Sequence, residues 1–220
     1  MKFLISQIKH FIWCRNFVNS NKKLFPIVDN KEEIKSSQIL VEFNAFQNSH
    51  VPISYLSNVL SKKYKSKINA FYNYSLISSP LRNSIFNEIK WIIGNFFSLK
   101  NFGIYRSFGV KDIFKPQVKN NIKTKIDRPL KLIFDKIKNK EDVLKIKFDN
   151  ILVGDLIYDT YLKKFVKPTI DLKDDDFLKL VNDFFLLYLF WKNYFNKNNV
   201  KAVIGVHTPY SYGLVLRLAI

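Results

Sequence analysis

The stretch Ile151-Leu152-Val153-Gly154-Asp155-Leu156-Ile157-Tyr158-Asp159-Thr160-Tyr161-Leu162 sets two carboxylates, two phenols and a glycine inside an otherwise apolar run. A solvated loop has no need of that apolar richness, and a plain core segment has no need of the acids. If the chain after Gly154 is helical, Asp155 and Asp159 stand four residues apart and share one face. Gly154 would permit the tight turn into that helix. Carboxylates and phenols clustered at an element boundary hold something polar. The plainer alternative is Asp155 as N-cap of an ordinary amphipathic helix.

Two further polar groups have the same character. Glu42, Asn44, Gln47, Asn48, Ser49 and His50 follow one apolar run, and His207, Thr208, Tyr210 and Tyr212 follow another. Acids and amides hydrogen-bond hydroxyls, and aromatic rings stack on the apolar faces of sugars. Together they suit a hydroxyl-rich ligand. Either histidine has an intrinsic pKa suited to general-base work near neutrality, and Asp155, Asp159 or Glu42 could serve in its place. Taken singly, the plain readings come first: His50 as a helix-start residue, His207 as a satisfied core histidine, and Tyr210 and Tyr212 as packing. No Gly-rich dinucleotide fingerprint, P-loop, HExxH or GxSxG pattern occurs.

The elements that would position these groups alternate. Gln38 to Phe43 reads as a buried parallel strand. A helix follows to about Tyr64, with Pro52 in its first turn, and Ile68 to Tyr74 is a second strand. Arg82 to Leu99 is the next helix, with Ile85, Ile89, Ile92, Ile93 and Phe96 on its buried side. Ile104 to Phe108 is a short strand or turn between Gly103 and Gly109. Leu130, Ile133, Phe134 and Ile137 recur at helical spacing within a basic stretch, Val118 to Lys140, broken by Pro129. Asp175 to Asn196 is a strong helix, opened by acids and buried on much of its circumference. Lys201 to Val206 is the third firm strand, and a helix begins at Leu214. The pattern predicts an α/β class: an open, Rossmann-like, mostly parallel sheet flanked by helices, forming a single truncated domain. In such sheets ligands bind beyond the carboxyl ends of the strands, where two of the polar groups fall.

Residues 1–36 read as an N-terminal amphipathic helix and a linker. Leu4, Ile5, Ile8, Phe11 and Ile12 repeat at helical spacing beside Lys2, Lys9 and Arg15, and Asn19 to Ser37 is polar around Pro26. Such a basic helix either lies on a membrane surface or packs on its own domain. Residues 37–220 form the main domain. Ile220 ends a helix scarcely started, so a longer protein is expected.

Composition bounds the function. With 47% hydrophobic and 16% aromatic residues in 220, the chain can build a core. The net charge of +18 would suit nucleic acid or an anionic membrane surface. The lysines, however, are interleaved with Asn, Ile and Phe along the whole chain, as an AT-biased genome would also produce. The single Cys14 excludes an internal disulfide and points to a reducing compartment. No cysteine–histidine cluster suggests a metal site, and neither a secretory signal nor a membrane span is predicted. The expected location is cytoplasmic.

The combination of Ile39 to Asn44 and its polar loop, Val153 to Leu162, Pro168-Thr169-Ile170-Asp171 and His207-Thr208-Pro209-Tyr210 resembles the amino-terminal half of capsule and surface-polysaccharide biosynthesis proteins. These are similar to two-domain glycosyltransferases of the GT-B type. Gly154 to Asp159 is the most specific part of a likeness that covers residues 37–220. The resemblance implies an acceptor-side domain over 37–220, without the half that binds the nucleotide sugar. It implies a base among His50, Asp155, Asp159 and His207 that deprotonates an acceptor hydroxyl. Glu42, Asn44, Asn48, Tyr158, Tyr161, Thr208, Tyr210 and Tyr212 would bind substrate. The expected partner is a carbohydrate or lipid-linked saccharide acceptor, with peripheral contact at the anionic inner face of the cytoplasmic membrane and no nucleic acid. No permanently bound cofactor or metal is expected, and a nucleotide-sugar donor would be a substrate of the complete protein. The rival class is a non-enzymatic basic α/β module that binds nucleic acid or an anionic membrane surface.

Overall fold

The computed structural model describes residues 2–25, 37–73, 85–117 and 127–220. Two compact units emerge. The first holds α1 (Lys2–Leu24), β1 (Ser37–Glu42), α2 (Gln47–Tyr64), β2 (Lys67–Phe71), α3 (Ile85–Phe96), α4 (Asn101–Ser107), β3 (Val110–Phe114) and β6 (Asn199–Ile204). Its four strands make one all-parallel sheet in the order β3-β2-β1-β6, flanked by helices. The α/β class and parallel sheet are as the alternating pattern predicts.

β1 is central and every residue in it is buried. Ile39, Leu40 and Val41 suit a strand covered on both faces. Its polar residues have partners: the Ser37 and Ser66 hydroxyls lie 2.7 Å apart, and Asn69 Nδ2 donates to Gln38 Oε1 at 2.6 Å. Where β1 ends, Tyr105 of α4 takes over. Its phenol donates to the Glu42 carbonyl (2.6 Å) and accepts from the Asn44 amide (3.1 Å). Burial pushes that phenol's pKa up, so it stays protonated and able to donate.

Several expectations change in this unit. Ile104 to Phe108, expected as a strand or turn, lies largely in α4, with Ile104, Tyr105 and Phe108 buried. The strand comes one step later, at β3, after Gly109 at φ +95°. Gly109 supplies the left-handed turn that separates them. Pro52 sits inside α2, the helix having begun at Gln47, instead of in its first turn. Residues 19–24, expected as linker, continue α1. Residues 26–36 of that linker, residue 74 at the end of the expected second strand, residues 82–84 of the expected third helix and residues 118–126 of the basic stretch lie outside the described residues.

The sharpest reversals concern α1 and α3. In α1, Cys14 is buried and Trp13, Phe17 and Val18 pack against the sheet's core, while Phe11 and Ile12 are exposed. The first three members of its stripe, Leu4, Ile5 and Ile8, are described by backbone alone. In α3 the five residues expected to be buried are all exposed, from 45% at Ile93 to 80% at Phe96. What α3 turns inward is Gly94, against the Phe102 ring, and Trp91, whose ring meets Phe43, Tyr72 and Phe102 at 5.0–5.5 Å.

The second unit holds α5 (Asp127–Phe134), α6 (Lys140–Leu144), the β4–β5 hairpin (Lys147–Phe148 and Ile151–Leu152), α7 (Gly154–Phe165), α8 (Asp175–Lys197), a 3₁₀ turn (Tyr210–Gly213) and α9 (Leu214–Leu218). α8 buries Phe177, Leu180, Val181, Phe184, Leu187 and Trp191, among others, as its composition predicts. The hairpin is pinned to it by Asp149, which accepts from Tyr188 Oη and from Lys192 Nζ.

Tyr105→Phe removes the phenol that serves two buried backbone groups. The expected cost is about 1–3 kcal/mol, read as a lower denaturation midpoint at unchanged slope. An unchanged midpoint would deny the phenol this role.

Candidate functional site

Val153 and Gly154 enter α7 from the hairpin, and both amides donate to the Ile146 carbonyl, at 2.9 and 3.1 Å. A methyl group at Gly154 would overlap the Val143 and Leu144 carbonyls. The glycine is therefore needed for close approach of α7 to α6. Its backbone φ is not in the left-handed region. Val153 is the N-cap and Asp155 lies inside the helix, so the capping alternative for Asp155 does not describe it.

Asp155 is engaged instead by a residue far along the chain. Arg217 of α9 donates Nη1 to Oδ1 at 2.6 Å and Nη2 to Oδ2 at 2.5 Å, and Nη1 also reaches the Leu152 carbonyl at 2.6 Å. The guanidinium holds the Asp155 carboxyl below its ordinary range. A carboxylate in that state is a weak base. Asp159 lies one turn on and is exposed, and Tyr158 between them is half-buried. Tyr161 is buried and donates its hydroxyl to Asp174 Oδ2 at 2.5 Å. Burial, with the adjacent carboxylate, pushes the Tyr161 phenol up to about 12. It acts as a strut that ties α7 to the residue before α8.

The loop Gly205–Gly213 faces the same helix. Tyr210 has φ +59°, an uncommon backbone for a residue with a side chain. Two features hold it: Gly213 lies against the Thr208 carbonyl, where a methyl group would overlap, and Asn73 Nδ2 donates to the Tyr212 carbonyl at 3.2 Å. Lys163 of α7 places its ammonium 3.9 Å from the centre of the Tyr210 ring, a cation–π distance. The Tyr212 ring lies 6.4 Å from Tyr210 and 5.4 Å from His207. His207, Tyr210 and Tyr212 are half-buried, and Thr208 is exposed. A lysine, an imidazole and two phenols thus line one accessible, stiffened loop. This arrangement can stack a flat apolar surface and attract a negative group.

Glu42, Asn44, Asn48 and His50 belong to the first unit. Glu42 and Asn44 are buried, and Asn48 is exposed at the start of α2. Asn44 Oδ1 accepts from the Phe46 amide (2.8 Å) and the Ser49 hydroxyl (2.9 Å), which fixes the turn into α2. His50 is fully buried among the rings of Trp13, Phe17 and Tyr105, with Nε2 3.1 Å from the Asn44 carbonyl. Nε2 must donate there, which leaves Nδ1 bare, and Nδ1 has no partner among the described residues. Burial drives the His50 pKa down. The imidazole is therefore neutral, and it is sealed from solvent.

Two of the three sequence groups, Gly154 to Tyr161 and His207 to Tyr212, thus meet within the second unit. The third builds a closed turn in the first. Sequence reasoning missed Lys163 and Arg217. Lys163 carried a signal, since it continues the Asp155, Asp159 series at four-residue spacing. Arg217, 62 residues from Asp155, carried none. Among the described residues no three His, Cys, Asp or Glu side chains gather as metal ligands would, and no helix is long and apolar enough to cross a membrane. No protein-family model matches the chain, and no curated protein or solved structure shows significant similarity to it.

An imidazole held below its ordinary pKa of 6.5 binds fewer protons in the folded state than in the unfolded one. Its stability contribution is complete above pH 6.5 and is lost as pH falls through the lowered value. Urea denaturation at pH 7 and pH 5 should show wild-type stability falling with acid, and His50→Gln should flatten that slope. Equal slopes would show that His50 is not the group responsible. Gly154→Ala should cost about 2 kcal/mol through overlap with the α6 carbonyls, measured as a lowered Tm. Tolerance of the methyl group would contradict the close approach.

Proposed function

We propose that this chain is the acceptor-binding half of a glycosyltransferase-like protein of surface-polysaccharide biosynthesis, capsular or lipopolysaccharide, of the GT-B type. The supporting observation is the stiffened loop after β6, where the Lys163 ammonium, the Tyr210 and Tyr212 rings and the His207 imidazole stand together on the second unit. Sugar rings have one apolar face that stacks on phenols, and an ammonium beside them favours a uronate or a phosphate-linked saccharide. The acceptor is thus a carbohydrate or lipid-linked saccharide. The nucleotide-sugar donor is bound by a partner half of the complete protein. The protein works in the cytoplasm, peripherally at the inner face of the cytoplasmic membrane.

Catalysis in this reading requires a base that takes the proton of an acceptor hydroxyl as its oxygen attacks the anomeric carbon and the nucleotide diphosphate departs. Arg217 occupies Asp155, and the aromatic rings enclose His50. His207 and Asp159 retain access to a bound saccharide, and the role falls to one of these two.

Saturation-transfer NMR with neutral and acidic oligosaccharides tests the reading. Saccharide protons should receive saturation from the wild-type protein, most strongly in the acidic series. Tyr210→Ala should weaken binding about tenfold, equivalent to about 1.4 kcal/mol, without changing the melting temperature. Absence of transfer to every saccharide, or binding unaffected by Tyr210→Ala, would remove the basis of the proposal.

A further inference from the structure

α3 is built the wrong way round for a helix of a water-soluble surface. At 100° per residue, Ile85, Phe86, Ile89, Ile92, Ile93 and Phe96 fall within an arc of about 120°, and all six are exposed. The opposite side makes the attachments. Trp91 packs in the ring cluster with Phe43, Tyr72 and Phe102. Asn95 donates Nδ2 to the Ile113 carbonyl at 3.4 Å, and its Oδ1 accepts from Arg106 Nη2 at 3.0 Å. The helix is therefore fixed to its unit through an aromatic and polar edge. Its outward apolar arc is a property of a settled orientation. An uninterrupted apolar helix face of this size marks an interaction surface.

The charge of the chain argues for the partner. Exposed Lys90 borders one edge of the arc and exposed Glu88 the other, and exposed Lys100 comes four residues after α3 ends. The single acid on α3 is Glu88, and the whole chain carries a net +18. A strongly basic protein repels a second copy of itself, which disfavours self-association through this face. It is attracted to an anionic surface, and an interfacial helix combines an apolar arc with flanking lysines. We infer that the outward face of α3 docks on an anionic lipid bilayer, with its Ile and Phe side chains sunk to the level of the headgroups and Lys90 and Lys100 against lipid phosphates. The inference names the surface behind the peripheral placement proposed above and makes no use of saccharide binding. Failure here leaves the carbohydrate reading standing, and the reverse also holds.

Flotation of the full chain with vesicles tests it, using phosphatidylcholine alone and phosphatidylcholine mixed with phosphatidylglycerol. Wild type should float with the mixed vesicles, remain largely unbound with phosphatidylcholine alone, and release as salt rises. Ile89→Ser combined with Phe96→Ser should lower the partition coefficient about tenfold or more and leave the melting temperature unchanged. Ile92→Ser alone provides a milder variant should the double one unfold, with a smaller loss in the same direction. Three results would overturn the inference: no flotation of wild type, equal flotation of wild type and serine variants, or a wild-type dimer in sedimentation that the serine variants dissolve. The second would assign binding to bulk charge, and the third would assign the face to another copy of the chain.

Discussion

The Tyr105 phenol is the constraint on which the first unit turns. A fully buried central strand must hand its last backbone groups to something when pairing stops, because an unpaired buried carbonyl or amide is expensive. Tyr105 takes both groups at the end of β1, the Glu42 carbonyl and the Asn44 amide. Its ring simultaneously packs on Phe43, His50 and Phe108. One side chain therefore ends the strand, fixes α4 against the sheet and roofs the turn into α2. The neutrality of His50 follows from the same enclosure, since rings on three sides leave a charged imidazole without solvent.

The second unit solves a different problem, namely how to bring a short helix close to its neighbours. Gly154 lets α7 sit on the α6 carbonyls, Tyr161 ties its far half to Asp174, and Arg217 grips its first turn through Asp155. These three fixings leave one side of α7 to face the loop after β6. Lys163 and Tyr210 meet there because the helix is held and the loop is strained into place. The Asp155–Arg217 pair remains partly exposed, so its worth lies in orientation more than in raw stability.

α1 takes the packed one of the two roles its sequence allows, and α3 reverses the role its sequence suggests. Both carry apolar residues at helical spacing, and spacing alone states that a helix has an apolar face without stating what that face meets. In α1 the residues Trp13, Cys14, Phe17 and Val18 are claimed by the sheet's core. In α3 the Trp91 ring cluster and the Asn95 bonds orient the helix from its other side, leaving isoleucines and phenylalanines outward.

Local pattern determined the α/β class, the parallel strands at β1, β2 and β6, the long buried helix α8 and the helix that follows Gly154. Each of these rests on periodicity or on a run of β-branched residues, which neighbours along the chain supply. The polar groups at His207 to Tyr212 and Gly154 to Tyr161 were legible as side-chain types for the same reason. Tertiary structure alone decided that Ile104 to Phe108 contributes to a helix and that β3 begins after Gly109. It also decided that Asp155 answers to Arg217, and that Tyr161 is buried with its hydroxyl on Asp174. Those outcomes depend on pairings across tens of residues, and no local spacing encodes which distant partner will claim a carboxylate, a phenol or the face of a helix.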